Sequence, residues 1–315
     1  MHSSVRRMTD GAMMIAIMGA LLLINRLLGG APIYYLLFLL PLPMVFYSSK
    51  YGWKTSLAVY AALILLTFML ATPLMLFYVA AESLLGIVYG AGIHDHVPQR
   101  KEIVLCILIG IVINVVDLIV IASLLGYDMP MQIAELTGIL KTFTEQTNLA
   151  IPETVNLAQM AAEALLVSAV VGGALQGYIT HVLSRFMLKR LHFDVEKAAP
   201  FLDYFPPKWS GYLALGGYLA YAWTLGHPIS NLFLEYAVQG LGMIGYLYLL
   251  FFGWFAVMLG MAVYLRMRLR FLAGTVAMLL CLILPIVMVI AGFLYIAGDL
   301  HGALMKGSFH ATKDE

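Results

Sequence analysis

Apolar residues in this chain come in long blocks rather than in strict alternation, and the blocks are separated by charge, Pro or Gly. Nine such runs can be marked, at 11–28, 33–48, 54–71, 74–92, 103–126, 160–186, 210–225, 235–264 and 271–297. A helix needs about 20 apolar residues to cross the hydrocarbon of a bilayer, and most of these runs are of that order. The pattern therefore predicts an all-α polytopic membrane protein with about nine transmembrane helices. The second and seventh runs are short enough to be tilted, broken or partly re-entrant.

Basic residues accumulate on the cytoplasmic side of a membrane protein, which orients the runs. With the N-terminus inside, the inner loops hold Arg6, Arg7, Lys50, Lys54, Arg100, Lys101, Arg185, Lys189, Arg190, Lys197, Lys208, Arg266, Arg268 and Arg270. Only Lys141 lies in an outer loop, and Arg26 sits at a helix end. Lys306 and Lys313 in the tail would be more at home inside, so eight spans are the alternative. Orientation and count together predict a multi-pass protein of the cell membrane with a cytoplasmic N-terminus.

Two loops are long. Residues 127–159 carry Asp128, Glu135, Glu145 and Glu153 against a single Lys, and Met131, Ile133, Leu136, Ile139, Leu140 and Phe143 recur at helical spacing. That spacing predicts an amphipathic helix lying on the outer membrane surface or over a cavity. Residues 187–209 separate six runs from the last three. The expected organisation is a six-helix membrane core at 1–190, a cytoplasmic linker at 191–209 and a three-helix extension at 210–315.

Composition sharpens the class. Hydrophobic residues make up 62% of the chain and charged ones 11%, and the mean hydropathy is +0.92. Soluble domains hold about 45–50% apolar and about 25% charged residues, so a water-coated globule is excluded and the partner of most of the surface is the lipid bilayer. A net charge of +1 argues against nucleic acid as a partner. Cys106 and Cys281 lie inside apolar runs, away from any disulfide or thiolate-metal pattern. The first run lacks a small-residue cleavage site and is read as a retained helix.

Against this background the polar residues at mid-run depth stand out. Glu82 falls in the middle of the fourth run and Asp117 near the middle of the fifth, with Asn114 on the same helical face as Asp117. Ionisable groups at that depth are costly unless they pair, protonate or face water, which makes them candidates for function. Tyr78, Gly86 and Tyr89 share the Glu82 face, Gly110 shares that of Asn114, and Ser168, Gly172 and Gln176 form a polar line on the sixth run. If these faces converge, Glu82, Asn114, Asp117, Tyr78 and Gln176 form an enclosed solute-binding site. The bland alternative is that the two carboxyls are protonated structural groups bonded to neighbouring helices. In the first helix Ala12, Ala16 and Ala20 make a small-residue stripe, which is expected either to pack inside the chain or to dock a partner helix.

Weaker signals add little. His94 and His96 flank Asp95 but have no third ligand at a fixed interval, so a solvated turn ending at Pro98 is favoured over a metal site. Pro41, Pro43 and Pro285 interrupt apolar helices as kinks or hinges. No phosphate loop, nucleophile motif or zinc-protease helix is present. Neither an enzyme nor a cofactor-bearing protein is expected, and any energy source lies in an ion gradient or a separate subunit.

The opening TDGAMMIAIMGALLLI and the following LLPLPMVFYSSKYGWK resemble the YybS-type predicted bacterial membrane proteins, relatives of the substrate-binding S-components of energy-coupling-factor (ECF) transporters. The likeness is strongest over the first 190 residues and looser in PFLDYFPPKW and GFLYIAGDL. It implies a six-helix core whose Ala12, Ala16 and Ala20 dock on a transmembrane coupling subunit driven by separate ATPase subunits. It further implies an outer loop closing over a small, vitamin-like or cationic solute. Relatives of the fold also include assembly partners such as the cell-shape protein MreD, so a non-transporting scaffold or regulatory role is the alternative.

Overall fold

The computed structural model describes residues 2–147, 156–198, 205–227, 232–264, 270–298, 300 and 302. Glu153, Arg266, Arg268, Lys306 and Lys313, and parts of PFLDYFPPKW and GFLYIAGDL, lie outside the described residues. Every described element is helical. The chain divides into two compact units, 1–200 and 201–315.

In the first unit α1 spans His2–Leu27, α2 Ile33–Leu36, α3 Pro41–Tyr51, α4 Trp53–Leu70, α5 Pro73–His94 and α6 Gln99–Val116. A π-helical turn, Asp117–Ile121, follows directly, then the single turn α7 (Ala122–Leu124), α8 (Met129–Thr147) and the long α9 (Leu157–Arg190). The short second run is thus broken: α2 and α3 replace one span. Pro41 and Pro43 fall in the first turn of α3, and Pro41 occupies its first position, where its missing N–H costs nothing. These prolines start a helix instead of kinking one. Gly52, at φ 77°, makes the turn from α3 into α4. Thr72 caps α5, accepting from the Met75 N–H ahead of Pro73, and Asn156 caps α9 by accepting from Ala158 and Gln159.

Glycine sets the closest approaches. A Cβ on Gly86 would lie 2.4 Å from the Pro41 carbonyl oxygen, and one on Gly90 2.6 Å from that of Val45, so α3 and α5 touch backbone to backbone. The pair α6 and α9 is built the same way: Gly173 would meet the Gly110 oxygen at 2.5 Å and Gly177 the Cys106 oxygen at 2.5 Å. Two glycines four residues apart line one helical face, which is how helices associate where lipid supplies little hydrophobic drive. A first core joins Met14, Met18 and Leu22 of α1 to Leu40 and Met44, Leu63, Met75 and Val79. A second joins Val45, Leu85, Tyr89, Cys106, Ile113 and Leu188. Outward faces are apolar: Leu65, Phe68 and Met69 on α4, Leu108 and Val112 on α6, and Val171 and Leu175 on α9 all stand exposed. In water such a surface would aggregate; in a bilayer it meets lipid.

One end of this unit is basic. Lys50 bonds Asp10 at 2.5 Å, Tyr51 donates to the same carboxylate at 2.7 Å, and the Tyr47 hydroxyl reaches the Arg7 carbonyl at 3.4 Å. His94 and His96 are exposed in the α5–α6 turn, and His94 Nδ1 lies 3.2 Å from the Ser49 carbonyl oxygen. The expected amphipathic helix in the long loop is α8. Ile133, Leu136 and Leu140 are partly buried and the helix packs on α9, whereas Met131, Ile139 and Phe143 are exposed.

The second unit holds α10 (Lys208–Gly226), α11 (Leu232–Tyr264), α12 (Arg270–Ile283) and α13 (Pro285–Ala297). Pro285 opens α13 and separates it from α12, so the last run is a broken pair. Ala214, Leu249, Phe252, Ala256, Val289, Tyr295 and Ile296 form its core, and Ser210 and Tyr248 share a hydrogen bond of 2.8 Å. Among the described residues six helices are long and apolar enough to cross a membrane, or seven if α12 and α13 count as one span. All nine predicted runs are helical. The difference from nine lies in the broken second run, in α10 and in the bent pair.

Candidate functional site

Helices α5, α6 and α9 carry the polar residues that the apolar runs could not explain. Glu82, on α5, is 0% exposed. The Gln176 amide of α9 donates to its Oε1, and Asn114 of α6 in turn donates to Gln176 Oε1 at 2.8 Å. Asn114 also donates to the Gly110 carbonyl of its own helix at 3.0 Å. Three helices are therefore joined by one side-chain chain, Asn114 to Gln176 to Glu82. The second carboxylate oxygen of Glu82 has no hydrogen-bond partner among the described residues.

Asp117 stands in a separate pair. Tyr78, one helical turn before Glu82 on α5, donates to Asp117 Oδ2 at 2.8 Å. Asp117 opens the π-helical turn, and such turns are frequent at functional sites. Both Tyr78 and Asp117 are half-buried, so this pair is more open than the Glu82 chain. The glycines named with these residues serve packing: Gly86 accommodates α3, and Gly110 accommodates Gly173. Ser168 does not join the site. It is exposed and donates to Leu165 of its own helix.

The stripe on α1 faces away from the rest of its unit. Ala12, Ala16 and Ala20 are all exposed, whereas Gly11, Met14, Met18, Gly19 and Leu22 point inward. A Cβ on Gly11 would come 2.9 Å from Val59, and one on Gly19 3.2 Å from Leu66. Within this unit the packing contacts of α1 are made by the glycines and methionines of the opposite face and not by the alanines.

The family whose pattern matches residues 16–297 is described as "Predicted membrane protein (DUF2232)". The chain belongs to this family. The match takes in most of both compact units, so the C-terminal helices are as much a part of the DUF2232 pattern as the first six runs. No curated protein and no solved structure matches the chain.

This DUF2232 protein holds a second polar cluster, toward the basic end of the same three helices, which the sequence reading missed. The sequence places Arg185 in an inner loop, at the end of the sixth apolar run. Instead α9 continues to Arg190, and Arg185, 5% exposed, forms a buried ion pair with Glu102 of α6 and donates to the Glu196 carbonyl at 3.1 Å. Gly92 leaves room for the carboxylate, since a Cβ there would lie 3.3 Å from Glu102 Oε1. Beside the pair, His181 is wholly buried. Its Nδ1 shares a 2.8 Å hydrogen bond with the Tyr89 hydroxyl, and its Nε2 lies 3.2 Å from the Gln99 amide nitrogen. The readable signal was the four-residue spacing of Gln176, Thr180 and Ser184, which keeps one face of α9 polar down to Arg185.

Proposed function

We propose that this membrane protein binds a small solute at the level of Glu82 and helps it across the membrane in the manner of an ECF transporter S-component. The observation that carries the reading is the Asn114–Gln176–Glu82 chain, in which three helices bring two amides and a carboxyl with one unshared oxygen to one level. An isolated carboxylate inside hydrocarbon costs several kcal/mol, and a vitamin-like or cationic solute would offset that cost. Tyr78 on α5 and Asp117 at the start of the π-helical turn after α6 supply a phenol and a second carboxyl. In this reading the protein is a binding and passage component, not an enzyme. The exposed Ala12, Ala16 and Ala20 dock a transmembrane coupling subunit that works with separate ATPase subunits.

A scaffold role is the second reading, and the outward-facing alanine stripe favours it equally, because partner docking needs no solute. Native mass spectrometry of gently extracted protein separates the two. A small molecule that accompanies the wild type and is lost in Glu82→Gln and Asp117→Asn supports passage. Partner proteins retained with no small molecule, and lost in Ala16→Leu, support the scaffold.

A further inference from the structure

Helix α9 ends in a turn that sends the chain back along the helix. Leu191 closes the helix, His192 follows at φ 61°, and the amides of His192 and Phe193 bond to the Lys189 and Leu188 carbonyls at 3.2 and 3.0 Å. This is the left-handed turn in which glycine is usual, because a Cβ is crowded there. Residues 193–197 then run back as a strap that is neither helix nor strand, so no backbone ladder holds it.

Separate side-chain contacts fasten the strap instead. The Phe193 ring meets Phe46 of α3 edge-on, with centroids 5.6 Å apart, and Phe193 and Val195 pack on the core that contains Leu188 and Tyr89. Arg185 Nη1 donates to the Glu196 carbonyl at 3.1 Å, and the Gln99 amide reaches the Lys197 carbonyl at 3.5 Å. His181 lies one turn before Arg185 on the same face of α9, and the same Gln99 amide nitrogen is 3.2 Å from its Nε2. Donors from α6 and α9 thus hold two successive carbonyls of the strap.

The groups under these fastenings are poorly matched to a closed site. Glu102 Oε1 and Arg185 Nε are buried without hydrogen-bond partners among the described residues, although the two side chains pair with each other, and so is Ser184 Oγ in the residue before Arg185. A buried polar atom left unpartnered keeps the full cost of losing its water. Lifting the strap returns water to Arg185, which touches it directly, and hydration there offsets the broken contacts. A segment held without a ladder over groups that favour water opens at a free energy well below that of global unfolding. We propose that residues 192–197 form a gate at the basic end of the first unit, hinged at His192, whose lifting opens Arg185 and His181 to the aqueous medium. Closed, the gate shields the polar face of α9. It needs no solute and stands apart from the passage reading.

The test is carbethoxylation of histidines by diethyl pyrocarbonate, read by peptide mass spectrometry on the full chain in lipid nanodiscs, with amide hydrogen exchange on the same samples. His96, exposed in the α5–α6 turn, is the internal reference. His181 should react far more slowly than His96 in the wild type. It should react several-fold faster in Phe193→Ala, which removes the aromatic fastening, and in His192→Val, whose β-branched side chain is strongly disfavoured in the left-handed turn. Amides of 192–197 should lose protection in the same two variants while those of α9 before Leu188 keep theirs, which separates gate opening from unfolding. His192 is exposed, so His192→Val decides the question if Phe193→Ala does not fold. A His181 rate unchanged in His192→Val, a wild-type His181 as reactive as His96, or a strap whose amides exchange only together with the core of α9 overturns the proposal.

Discussion

The Gln176 amide is shared between two helices: its nitrogen donates to Glu82 and its oxygen accepts from Asn114. A side chain that both donates and accepts at one level binds α5, α6 and α9 into a single polar layer. Removing it leaves the buried Glu82 carboxyl without its donor and Asn114 with only its bond to the Gly110 carbonyl.

Gln176→Leu is accordingly expected to lower stability by about 1–3 kcal/mol, the cost of stranding buried polar groups. Thermal unfolding of the purified protein in detergent measures this. Gln176→Glu keeps an acceptor for Asn114, and two carboxyls at one buried site share a proton that can bridge to Glu82, so it should retain part of the stability. A Leu variant as stable as the wild type would mean that the layer is not a structural element.

The Glu102–Arg185 pair predicts a different pattern. Breaking a buried pair by removing one partner strands a charge and costs about 3–5 kcal/mol, whereas replacing both by apolar groups is often neutral. Arg185→Met should therefore destabilise strongly, and the double variant Glu102→Leu with Arg185→Met should recover most of the loss. Unfolding midpoints of the two single variants and the double complete the cycle. A double variant worse than either single would contradict the account.

Glycine contacts between α6 and α9 give a steric prediction. Gly173→Val must push α6 away, because the added Cβ starts 2.5 Å from the Gly110 oxygen and 2.6 Å from Ile111 Cα. Loss of folded protein in size-exclusion chromatography is the expected result. Gly216 on α10 is the control: nothing lies within 4 Å of its Cβ position, so Gly216→Ala should be neutral or stabilising by up to about 1 kcal/mol.

Tyr78→Phe removes one hydrogen bond to a half-buried carboxyl and should cost about 1 kcal/mol of stability. If the site takes a solute, affinity measured by calorimetry should fall more than stability does. Equal small losses in both would leave Tyr78 a structural donor.

How much of this was legible in the sequence depends on whether the signal was local. The length and apolarity of the runs dictated helices and a lipid-facing surface, because a backbone in hydrocarbon must satisfy its own hydrogen bonds within the segment. The depth of Glu82, Asn114 and Asp117 followed from counting residues along those runs. Pro41 and Pro285 announced interruptions, though only the fold showed that each opens a new helix. What tertiary structure alone decided was pairing across helices. That Gln176 meets Glu82 while Asp117 meets Tyr78, that Arg185 is buried against Glu102, and that Ala12, Ala16 and Ala20 face outward all depend on which faces the glycines bring together. Close backbone contact at Gly110, Gly173 and Gly177 fixes the rotation of α6 against α9, and that rotation is written between helices rather than along any one of them.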